Sequence, residues 1–320
     1  MSLIFKTNSI LTTVQDLGRN EFRSFGVNPN GVMDKKAVRL INTLLGNDGN
    51  EAVLEIHFPA PKILFEEDAI ISLGGANFDA KIDNQQIENW RINSVKKNQI
   101  LTFKNKIFGN RIYLSVKGGF KIENWLNSKS TNLKAEIGGF KGRKLQKDDR
   151  IPFNQDLKFK VQNSRFKISN SLIPHYSNFP TIRVIIGAEW EKLNEKSQTN
   201  FVSKKFTISH KSDRMGFRLN GEKLKMIENF ELVSSAVNFG TVQLLPDGNL
   251  IILMADHQTT GGYPRIAHII SEDLPLVGQL GANDSLYFQI ISLEDAEKLA
   301  LNFEKDLNLL KIACQFQIEY

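Results

Sequence analysis

The stretch DHQTTGGYPR, residues 256–265, gathers chemically capable side chains directly after the apolar run Leu250–Ala255. An apolar run of that length predicts a buried strand, so the polar residues are expected where the strand ends. Two threonine hydroxyls and two glycines could present O–H and backbone N–H donors to one anionic or carbonyl oxygen, because glycine adopts backbone angles closed to other residues. The stretch therefore predicts a ligand-binding turn, and a plain hairpin turn is the alternative.

Three residues of this turn form the predicted catalytic set. The imidazole of His257 titrates near neutral pH and could act as a general acid or base, with Asp256 to orient it. The hydroxyl of Thr260 could stabilise negative charge that develops on a reacting oxygen. The alternative is structural: a histidine that only makes a hydrogen bond and an aspartate that caps the strand. The other residues of the turn are predicted to bind substrate: Gln258, Thr259, Gly261, Gly262 and Tyr263.

Arginine and aspartate side chains cluster in SDRMGFRLNG, residues 212–221. A guanidinium offers a planar fork of donors that suits a carboxylate or a phosphate, so Arg214 and Arg218 are predicted to bind substrate together with Asp213. A surface ion pair is the structural alternative.

A third group lies in TVQDLGRNEFRSFGVNPNGVMD, residues 13–34, where Gln15, Asp16 and Arg19 surround a turn. These three are also predicted to contact substrate. Asp34 precedes an amphipathic stretch and is expected to cap the helix that begins there, which is a structural role.

The basic segment IGGFKGRKLQKDD, residues 137–149, suggests a phosphate contact. Lys141 and Arg143 are the residues predicted to touch a nucleotide cofactor. The segment lacks the glycine spacing and the terminal Lys-Ser/Thr of a P-loop, which makes it a weak nucleotide motif. The sequence has no spacing of metal ligands and no serine-nucleophile elbow, so no metal site is predicted.

Composition and length limit the class of protein that holds these residues. The 320 residues are 41% hydrophobic and 24% charged, which is ordinary for a globular protein of about two domains. Neither a signal peptide nor a membrane span is predicted, because no apolar run approaches the roughly 18 residues that a span needs. The single cysteine, Cys314, cannot form an internal disulfide, which favours the cytoplasm. The net charge of +6 comes mostly from scattered lysines rather than a basic stripe, so nucleic acid is not an expected partner.

Short apolar or alternating segments, bounded by Gly, Asn, Asp and Pro, predict strands along most of the chain. Two stretches have helical spacing instead: MDKKAVRLINTLLGN, at 33–47, and Leu293–Phe303. Cys314 falls in an alternating tail and is predicted in a buried strand. The pattern therefore predicts a mainly β protein with a few short helices. The clearest predicted strands are Ala52–Phe58, Ala69–Leu73, Arg111–Val116, Thr181–Ile186, Gly240–Leu244, Leu250–Ala255 and Ser285–Ile291.

A faint internal repeat predicts two related halves. IISLGGANF, at 70–78, resembles VIIGAEW, at 184–190, since each is an apolar strand followed by Gly-Ala and then an aromatic residue. The polar, proline-containing stretch 163–180 is the best candidate for a linker. The predicted domains are residues 1–170 and 171–320.

Five motifs, in the order TVQDLGR, GVNPNGVMD, SDRMGFRLNG, GTVQLLPDG and DHQTTGGYPRIAHI, resemble those of the biotin-dependent carboxyltransferase-like family. This family includes allophanate hydrolase subunit 2, the Kip-type regulators and the 5-oxoprolinase C subunits, and the resemblance spans residues 3–296. It implies that each predicted domain is a cyclophilin-like β-barrel.

The resemblance also implies that the chain works with partners. These are a B subunit, related to allophanate hydrolase subunit 1 and to Kip-type inhibitors, and an A subunit, which with this chain would form a cytoplasmic, ATP-dependent 5-oxoprolinase. Such an enzyme opens the lactam of 5-oxo-L-proline to L-glutamate, and the ATP could be bound by the complex or by this chain. Phosphorylation of the amide oxygen would make a stable lactam a better electrophile, and one fixed donor on that oxygen can lower the barrier by about 3 kcal/mol.

Two other functions stay open. One is the carboxyltransferase component of a urea carboxylase or allophanate-type system, which would need a biotinylated carrier from another chain. The other is a Kip-type regulator that binds an inhibitor of a histidine kinase.

The chain departs from the usual family motifs at three places. Ser234-Ser235-Ala236 stands where relatives usually have Ser-Glu-Gly or Ser-Asp-Gly, and Gly281-Ala282-Asn283-Asp284 stands where they usually have Pro-Gly-Asp. GVNPNG, at 26–31, replaces Gly-Val-Pro-x-x-Gly. If the missing acid contributes to the family's chemistry, this chain is altered in substrate or in activity.

Overall fold

The computed structural model describes residues 1–154, 166–228 and 232–318. These residues divide into two compact units: the first takes residues from 1–18, 30–175 and 303 onward, and the second takes 19–29 and residues from 176–302. A short segment from the N-terminal part of the chain therefore belongs to the second unit. The predicted division between residues 170 and 171 stays a prediction, and residues 163–165 of the candidate linker lie outside the described residues.

The first unit pairs its strands in two antiparallel sheets. The six-stranded sheet has the order β11-β1-β4-β9-β6-β7, and the five-stranded sheet has the order β2-β3-β10-β5-β8. The strands are β1 Ser2–Phe5, β2 Thr12–Gln15, β3 Val53–Ile56, β4 Ile63–Phe65, β5 Ala69–Asn77, β6 Ala80–Ile82, β7 Gln85–Gln86, β8 Asn93–Val95, β9 Ile100–Phe103, β10 Phe108–Val116 and β11 Arg150–Pro152.

The first helix, α1, spans Lys35–Leu44 and packs on the five-stranded sheet. The carboxylate of Asp34 accepts a hydrogen bond from the backbone N–H of Ala37 at 2.9 Å, which confirms the predicted cap. Gly74 of β5 allows the close approach, because a Cβ there would lie 2.7 Å from the Cγ2 of Ile41. The central strands β5 and β10 are consequently buried along most of their length.

The second unit is built around a closed barrel of seven strands, in the order β12-β19-β16-β17-β14-β13-β20. The barrel closes where β20 pairs in parallel with β12, and β15 and β18 form a separate two-stranded sheet. Aromatic rings fill part of the core: Phe201 stacks on Phe288 with a centroid distance of 4.5 Å. The strands are β12 Thr181–Ile186, β13 Phe206–Ile208, β14 Gly216–Asn220, β15 Ser235–Ala236, β16 Thr241–Leu244, β17 Leu250–Leu253, β18 Thr260–Gly261, β19 Arg265–Ile269 and β20 Ser285–Ile290.

The predicted mainly β class with few helices is confirmed, and each of the seven clearest predicted strands overlaps a strand of the structure. Besides α1, the helices are α2 Glu195–Ser203, α3 Leu274–Gly278 and α4 Leu293–Ile318, with 3-10 turns at Asn20–Phe25 and Trp190–Lys192. Among the described helices, none combines the length and the apolar character that crossing a membrane requires.

The predicted strand around Cys314 is wrong, because α4 continues through it. The buried residues of this part of α4 are Phe303, Leu307, Leu310 and Cys314, which recur at intervals of three or four and so follow a helical period. The prediction that the thiol is buried is correct, and burial raises its pKa to about 11. A thiol of that kind is a poor nucleophile at neutral pH.

Candidate functional site

The predicted ligand turn, residues 256–265, connects barrel strands β17 and β19 and contains β18. Thr260 lies opposite Ala236, and Gly261 lies opposite Ser235, in the two-stranded sheet of β15 and β18. The turn is therefore held by pairing with a second segment and is not a tight two-residue hairpin. The departure Ser234-Ser235-Ala236 is the direct neighbour of this turn.

The two glycines of the turn have different reasons for being glycine. The prediction assumed backbone angles closed to other residues, and this is wrong, because neither Gly261 nor Gly262 has a positive φ. A Cβ at Gly261 would lie 2.8 Å from the side-chain Nε2 of Gln243, whereas a Cβ at Gly262 would have no neighbour closer than 3.4 Å. Close packing therefore requires the first glycine, and nothing comparable requires the second.

Sequence reasoning missed Gln243, the residue beneath the turn. It is fully buried in β16, and its Nε2 donates a hydrogen bond to the backbone carbonyl of Tyr263 at 3.1 Å. The amide thus fixes the position of the turn relative to the barrel. The available signal was a single uncharged amide in the apolar strand of the motif GTVQLLPDG, where Val242 and Leu244 are also buried.

The predicted catalytic residue Asp256 and the predicted substrate ligand Arg214 bind each other. The Nε of Arg214 lies 2.9 Å from Oδ2 of Asp256, and its Nη2 lies 3.0 Å from Oδ1. Both side chains are largely buried, with 7% and 14% of their surface exposed. The structure thus joins two motifs that the sequence analysis treated separately, and it gives both residues a stabilising role.

His257 is almost completely buried, at 1% exposure, and its Nδ1 lies 2.5 Å from the carbonyl oxygen of Gln258. A carbonyl only accepts, so Nδ1 carries the proton of this hydrogen bond. This geometry fits the structural alternative, a histidine that fixes the chain after β17. Its role as a general acid or base stays a prediction.

Asn28 connects the segment 19–29 to the turn. Its Nδ2 donates to the carbonyl oxygens of Asp256, at 3.0 Å, and of His257, at 2.7 Å. Proline, the commoner family residue at this position of GVNPNG, has no side-chain donor. The departure at Asn28 therefore gives this chain two hydrogen bonds that anchor the start of the turn.

Another departure is accommodated by backbone conformation. Asn283, in the position next to Asp284 where relatives usually have glycine, adopts a φ of 71°. Asparagine tolerates this left-handed conformation better than most residues other than glycine. The Oδ2 of Asp284 accepts a hydrogen bond from the N–H of Gly281 at 2.7 Å, so the loop keeps a compact geometry.

A pocket of about 500 Å³ lies beside the turn, within the second unit. Of the residues predicted to bind substrate, the pocket is lined by Asp213, Arg218, Gln258 and Tyr263, and the buried Gln243 lines it as well. Tyr263 also borders an adjoining pocket of about 810 Å³ with Lys223 and Lys225 on its walls. The structure therefore brings together part of the two predicted clusters, around Tyr263.

The remaining predicted residues of the turn differ in exposure. The side of the turn formed by Thr260, Gly262 and Tyr263 is exposed, with 44% of Tyr263 accessible to solvent. Thr259 is half-buried, and its carbonyl oxygen accepts from the N–H of Val237 at 3.1 Å. The hydroxyl of Thr260 is therefore available to a ligand that approaches from solvent.

Gln15 and Asp16 belong to the first unit, where both are buried. The carboxylate of Asp16 accepts hydrogen bonds from the hydroxyls of Ser128 and Ser130 and from the N–H groups of Gly18 and Lys129, at 2.6–2.8 Å. Four donors on one carboxylate fix the conformation of this loop. Its substrate contact stays a prediction.

Two other residues predicted to contact substrate, Gln15 and Arg19, also have structural surroundings of their own. The Nε2 of Gln15 donates to Oγ1 of Thr13 and to the carbonyl of Thr131, which ties its strand to the neighbouring loop. Arg19 belongs to the second unit and is 2% exposed. A side chain so deeply buried does not present its charge to solvent, so its substrate contact also stays a prediction.

The predicted nucleotide contacts lie in the first unit. Arg143 forms a bidentate ion pair with Asp149, with both distances 2.7 Å, and Lys141 has a φ of 58°. Burial alone would raise the pKa of Asp149, but the hydrogen bonds from Arg143 and the N–H of Gln146 outweigh it and lower that pKa. The guanidinium of Arg143 is thus already engaged by a carboxylate. Across the residues that the structure describes, no group of three or more His, Cys, Asp and Glu side chains could hold a metal ion.

Comparison with known proteins agrees with this architecture. The family model of the carboxyltransferase domain, subdomain A and B, matches residues 25–290. The 5-oxoprolinase C subunits of Haemophilus influenzae and Escherichia coli are each 38% identical over 288 residues, which is 90% of this chain and 90% of theirs.

The structural relatives include much longer proteins. The urea amidolyase of Kluyveromyces lactis superposes with a TM-score of 0.90 at 27% identity, covering 97% of this chain and 20% of that one. The urea carboxylase of the same organism gives a TM-score of 0.90 at 26% identity, covering 97% of this chain and 29% of that one. The resemblance inferred from the five motifs is confirmed, and the chain belongs to the family of the carboxyltransferase domain, subdomain A and B.

Proposed function

We propose that this chain is the C subunit of a 5-oxoprolinase, which acts with the A and B subunits in the cytoplasm to open 5-oxo-L-proline to L-glutamate with hydrolysis of ATP. The observation that carries the proposal is its 38% identity to two proteins named as 5-oxoprolinase C subunits, over 90% of both chains. Similarity over nearly the whole length supports a shared role of the complete chain.

Opening a lactam requires hydrogen-bond donors of the kind that the turn carries. Attack on the amide carbon develops negative charge on the oxygen, and fixed donors that face this charge are worth about 3 kcal/mol of barrier each. The exposed Thr260, on a segment fixed by Gln243 and by pairing with Ser235–Ala236, is a suitable donor. Catalysis by this chain, through Thr260, is part of the proposal.

ATP is more suitably bound by one of the partners. The nucleotide motif around Lys141 is weak, and the guanidinium of Arg143 is held by Asp149. A phosphate would have to compete with that ion pair. We therefore place the nucleotide on the complex rather than on this chain.

The test is 5-oxoproline-dependent ATP hydrolysis by this chain co-expressed with the A and B subunits. Thr260→Val removes one hydroxyl from an exposed residue of the turn, and Thr199→Val removes one from an exposed residue of helix α2 as a matched control. We expect activity in the wild-type and control complexes and at least a tenfold loss in Thr260→Val, which corresponds to about 1.4 kcal/mol. An assembled wild-type complex without activity would contradict the function, and an active Thr260→Val complex would contradict only the role of the hydroxyl.

A second candidate is the carboxyltransferase component of a urea carboxylase. The TM-scores of 0.90 against a urea carboxylase and a urea amidolyase, each over 97% of this chain, favour it. The discriminating assay is biotin-dependent carboxylation of urea, with a biotinylated carrier supplied in trans. Carboxylation without 5-oxoproline-dependent ATP hydrolysis would select this function. The Kip-type regulator stays a prediction.

A further inference from the structure

The pocket beside the turn contains a buried acceptor without a partner. The Oε1 of Gln243 is shielded from solvent and makes no hydrogen bond with any described residue. The assignment of its two amide atoms is fixed, because the other one faces the carbonyl oxygen of Tyr263, which can only accept. An unsatisfied buried acceptor is costly, and Gln243 belongs to the lining of the pocket, so a ligand in the pocket is a candidate source of the missing N–H or O–H donor.

Two cationic side chains of the same pocket are available to an anion. Arg218 is exposed on β14, and Lys211 is exposed just before it. Neither forms an ion pair with a described residue. The guanidinium of Arg218 in particular offers the donor fork that a carboxylate takes.

The two carboxylates on the pocket wall are engaged by their own turns. The Oδ1 of Asp213 accepts from the N–H groups of Met215, at 2.8 Å, and Gly216, at 3.2 Å. Asp247 accepts from the N–H and the Nδ2 of Asn249, and these hydrogen bonds lower its pKa. Both carboxylates therefore belong to local turns, and the two cations are not paired with them.

The rest of the lining is largely apolar. Ile251 and Leu253 from β17, with Met215 and Leu245, contribute hydrocarbon surface. The volume of about 500 Å³ is within the range of sites for small molecules. The pocket thus combines an acceptor, cationic groups and apolar surface, which is the complement of a small carboxylic acid with an amide N–H on a hydrocarbon ring.

We propose that this pocket binds the lactam substrate, with its carboxylate on Arg218 and Lys211 and its ring N–H directed to the Oε1 of Gln243. This inference rests on the proposed function and adds to it the place and the orientation of the substrate. The turn lines this pocket through Gln258 and Tyr263, so the reacting amide would lie beside these two residues.

The test is calorimetric binding of three compounds to the assembled complex without ATP. These are 5-oxo-L-proline, the lactone 5-oxotetrahydrofuran-2-carboxylate, which lacks the N–H, and 2-pyrrolidinone, which lacks the carboxylate. We expect each analogue to bind at least about tenfold more weakly than the lactam acid, because a site built for a polar group rejects a ligand without it. These comparisons use the unaltered complex and do not depend on how a variant folds.

Variants then assign each preference to its residue. Arg218→Gln should weaken the binding of 5-oxo-L-proline about tenfold or more and reduce the preference of the complex for it over 2-pyrrolidinone. The control Lys204→Gln, which changes an exposed lysine outside the pocket, should alter neither the binding nor the preference. Gln243→Met should reduce the preference for lactam over lactone. Equal binding of all three compounds, or unchanged binding in Arg218→Gln, would overturn the assignment.

The proposed function is tested separately in the same preparation. If the wild-type complex hydrolyses ATP in response to 5-oxoproline but shows no preference among the three compounds, the function stands and the pocket assignment fails. If it neither hydrolyses ATP nor binds the lactam, both fail.

Discussion

Arg214 and Asp256 form a two-point ion pair that joins the loop before β14 to the end of β17, with distances of 2.9 and 3.0 Å. The same two residues are also connected through the backbone, since the N–H of Asp256 donates to the carbonyl of Arg214 at 2.8 Å. Substrate binding by Arg214 would have to break this pair. The pair therefore stabilises the barrel end from which the turn begins.

Removing one member of this pair should destabilise the protein much more than replacing both. Asp256→Ala leaves a buried guanidinium without its carboxylate and should lower the free energy of unfolding by about 3 kcal/mol. Arg214→Met combined with Asp256→Leu should recover most of that loss, since apolar side chains can fill the same volume. Urea unfolding followed by circular dichroism measures both, with the exposed Arg218→Met as a control that changes stability by less than about 0.5 kcal/mol. Equal losses in the single and double variants would contradict this account.

The two glycines of the turn provide a matched pair of substitutions. Gly261→Ala places a methyl group 2.8 Å from the Nε2 of Gln243, so either the amide or the turn must move, at a cost of about 1–3 kcal/mol. Gly262→Ala meets no atom closer than 3.4 Å and should change stability by less than about 0.5 kcal/mol. The measurement is the midpoint of thermal unfolding for each variant. A ranking in which Gly262→Ala is the more harmful would show that Gln243 does not determine the packing here.

These glycines also show how far the sequence could predict the site. The turn itself was predictable, because hydroxyl and glycine residues cluster directly after an apolar strand. The reason why residue 261 must be glycine was not predictable, because it depends on the side chain of Gln243 in β16, which only the fold brings beneath the turn. Asp34 was predictable as a cap because its partner, the N–H of Ala37, is local.

The predictions that the structure did not bear out also failed because they depended on long-range features of the fold. Alternation over a few residues around Cys314 suggested a strand, while the longer period of buried residues from Phe303 onward is helical. The pairing of Arg214 with Asp256 is a contact between distant parts of the chain, which no spacing reveals. Residues whose roles depend on such contacts, Gln243 above all, could be found only in the structure.

Asn28 should determine how firmly the segment 19–29 is attached to its own unit. Asn28→Asp keeps the shape of the side chain but removes the Nδ2 donor of both hydrogen bonds and places a carboxylate near two carbonyl oxygens. We expect a loss of about 1–2 kcal/mol in the local stability of the segment, because two partly buried acceptors lose their donor. Native-state hydrogen exchange over residues 19–29 measures this loss, with the exposed Asn20→Asp as control. Unchanged protection in Asn28→Asp would mean that other contacts hold the segment.

The ion pair at the other end of the turn should make stability depend on pH. Arg265 donates to Glu189 from its backbone N–H at 2.7 Å and from its guanidinium at 3.1 and 2.9 Å. Burial by itself would raise the pKa of Glu189, but these hydrogen bonds outweigh it, so the pKa lies below its usual value of 4.5. A carboxyl whose pKa is lower in the folded state stabilises the fold above the unfolded pKa, and that contribution is lost as the pH falls through the folded pKa.

Glu189→Gln should therefore destabilise the protein at neutral pH and become harmless in acid. At pH 7 the variant lacks the charged acceptor, and we expect the free energy of unfolding to fall by about 1–2 kcal/mol. As the pH falls from 4.5 through the lower pKa of the folded protein, the wild-type carboxyl becomes protonated and its contribution is lost, so the difference between the two proteins should shrink. Urea unfolding of both proteins from pH 7 to pH 3 measures this difference, and the exposed Glu222→Gln should differ little from wild type throughout. A difference that stayed constant over the whole range would show that packing, not the charge of Glu189, stabilises this end of the turn.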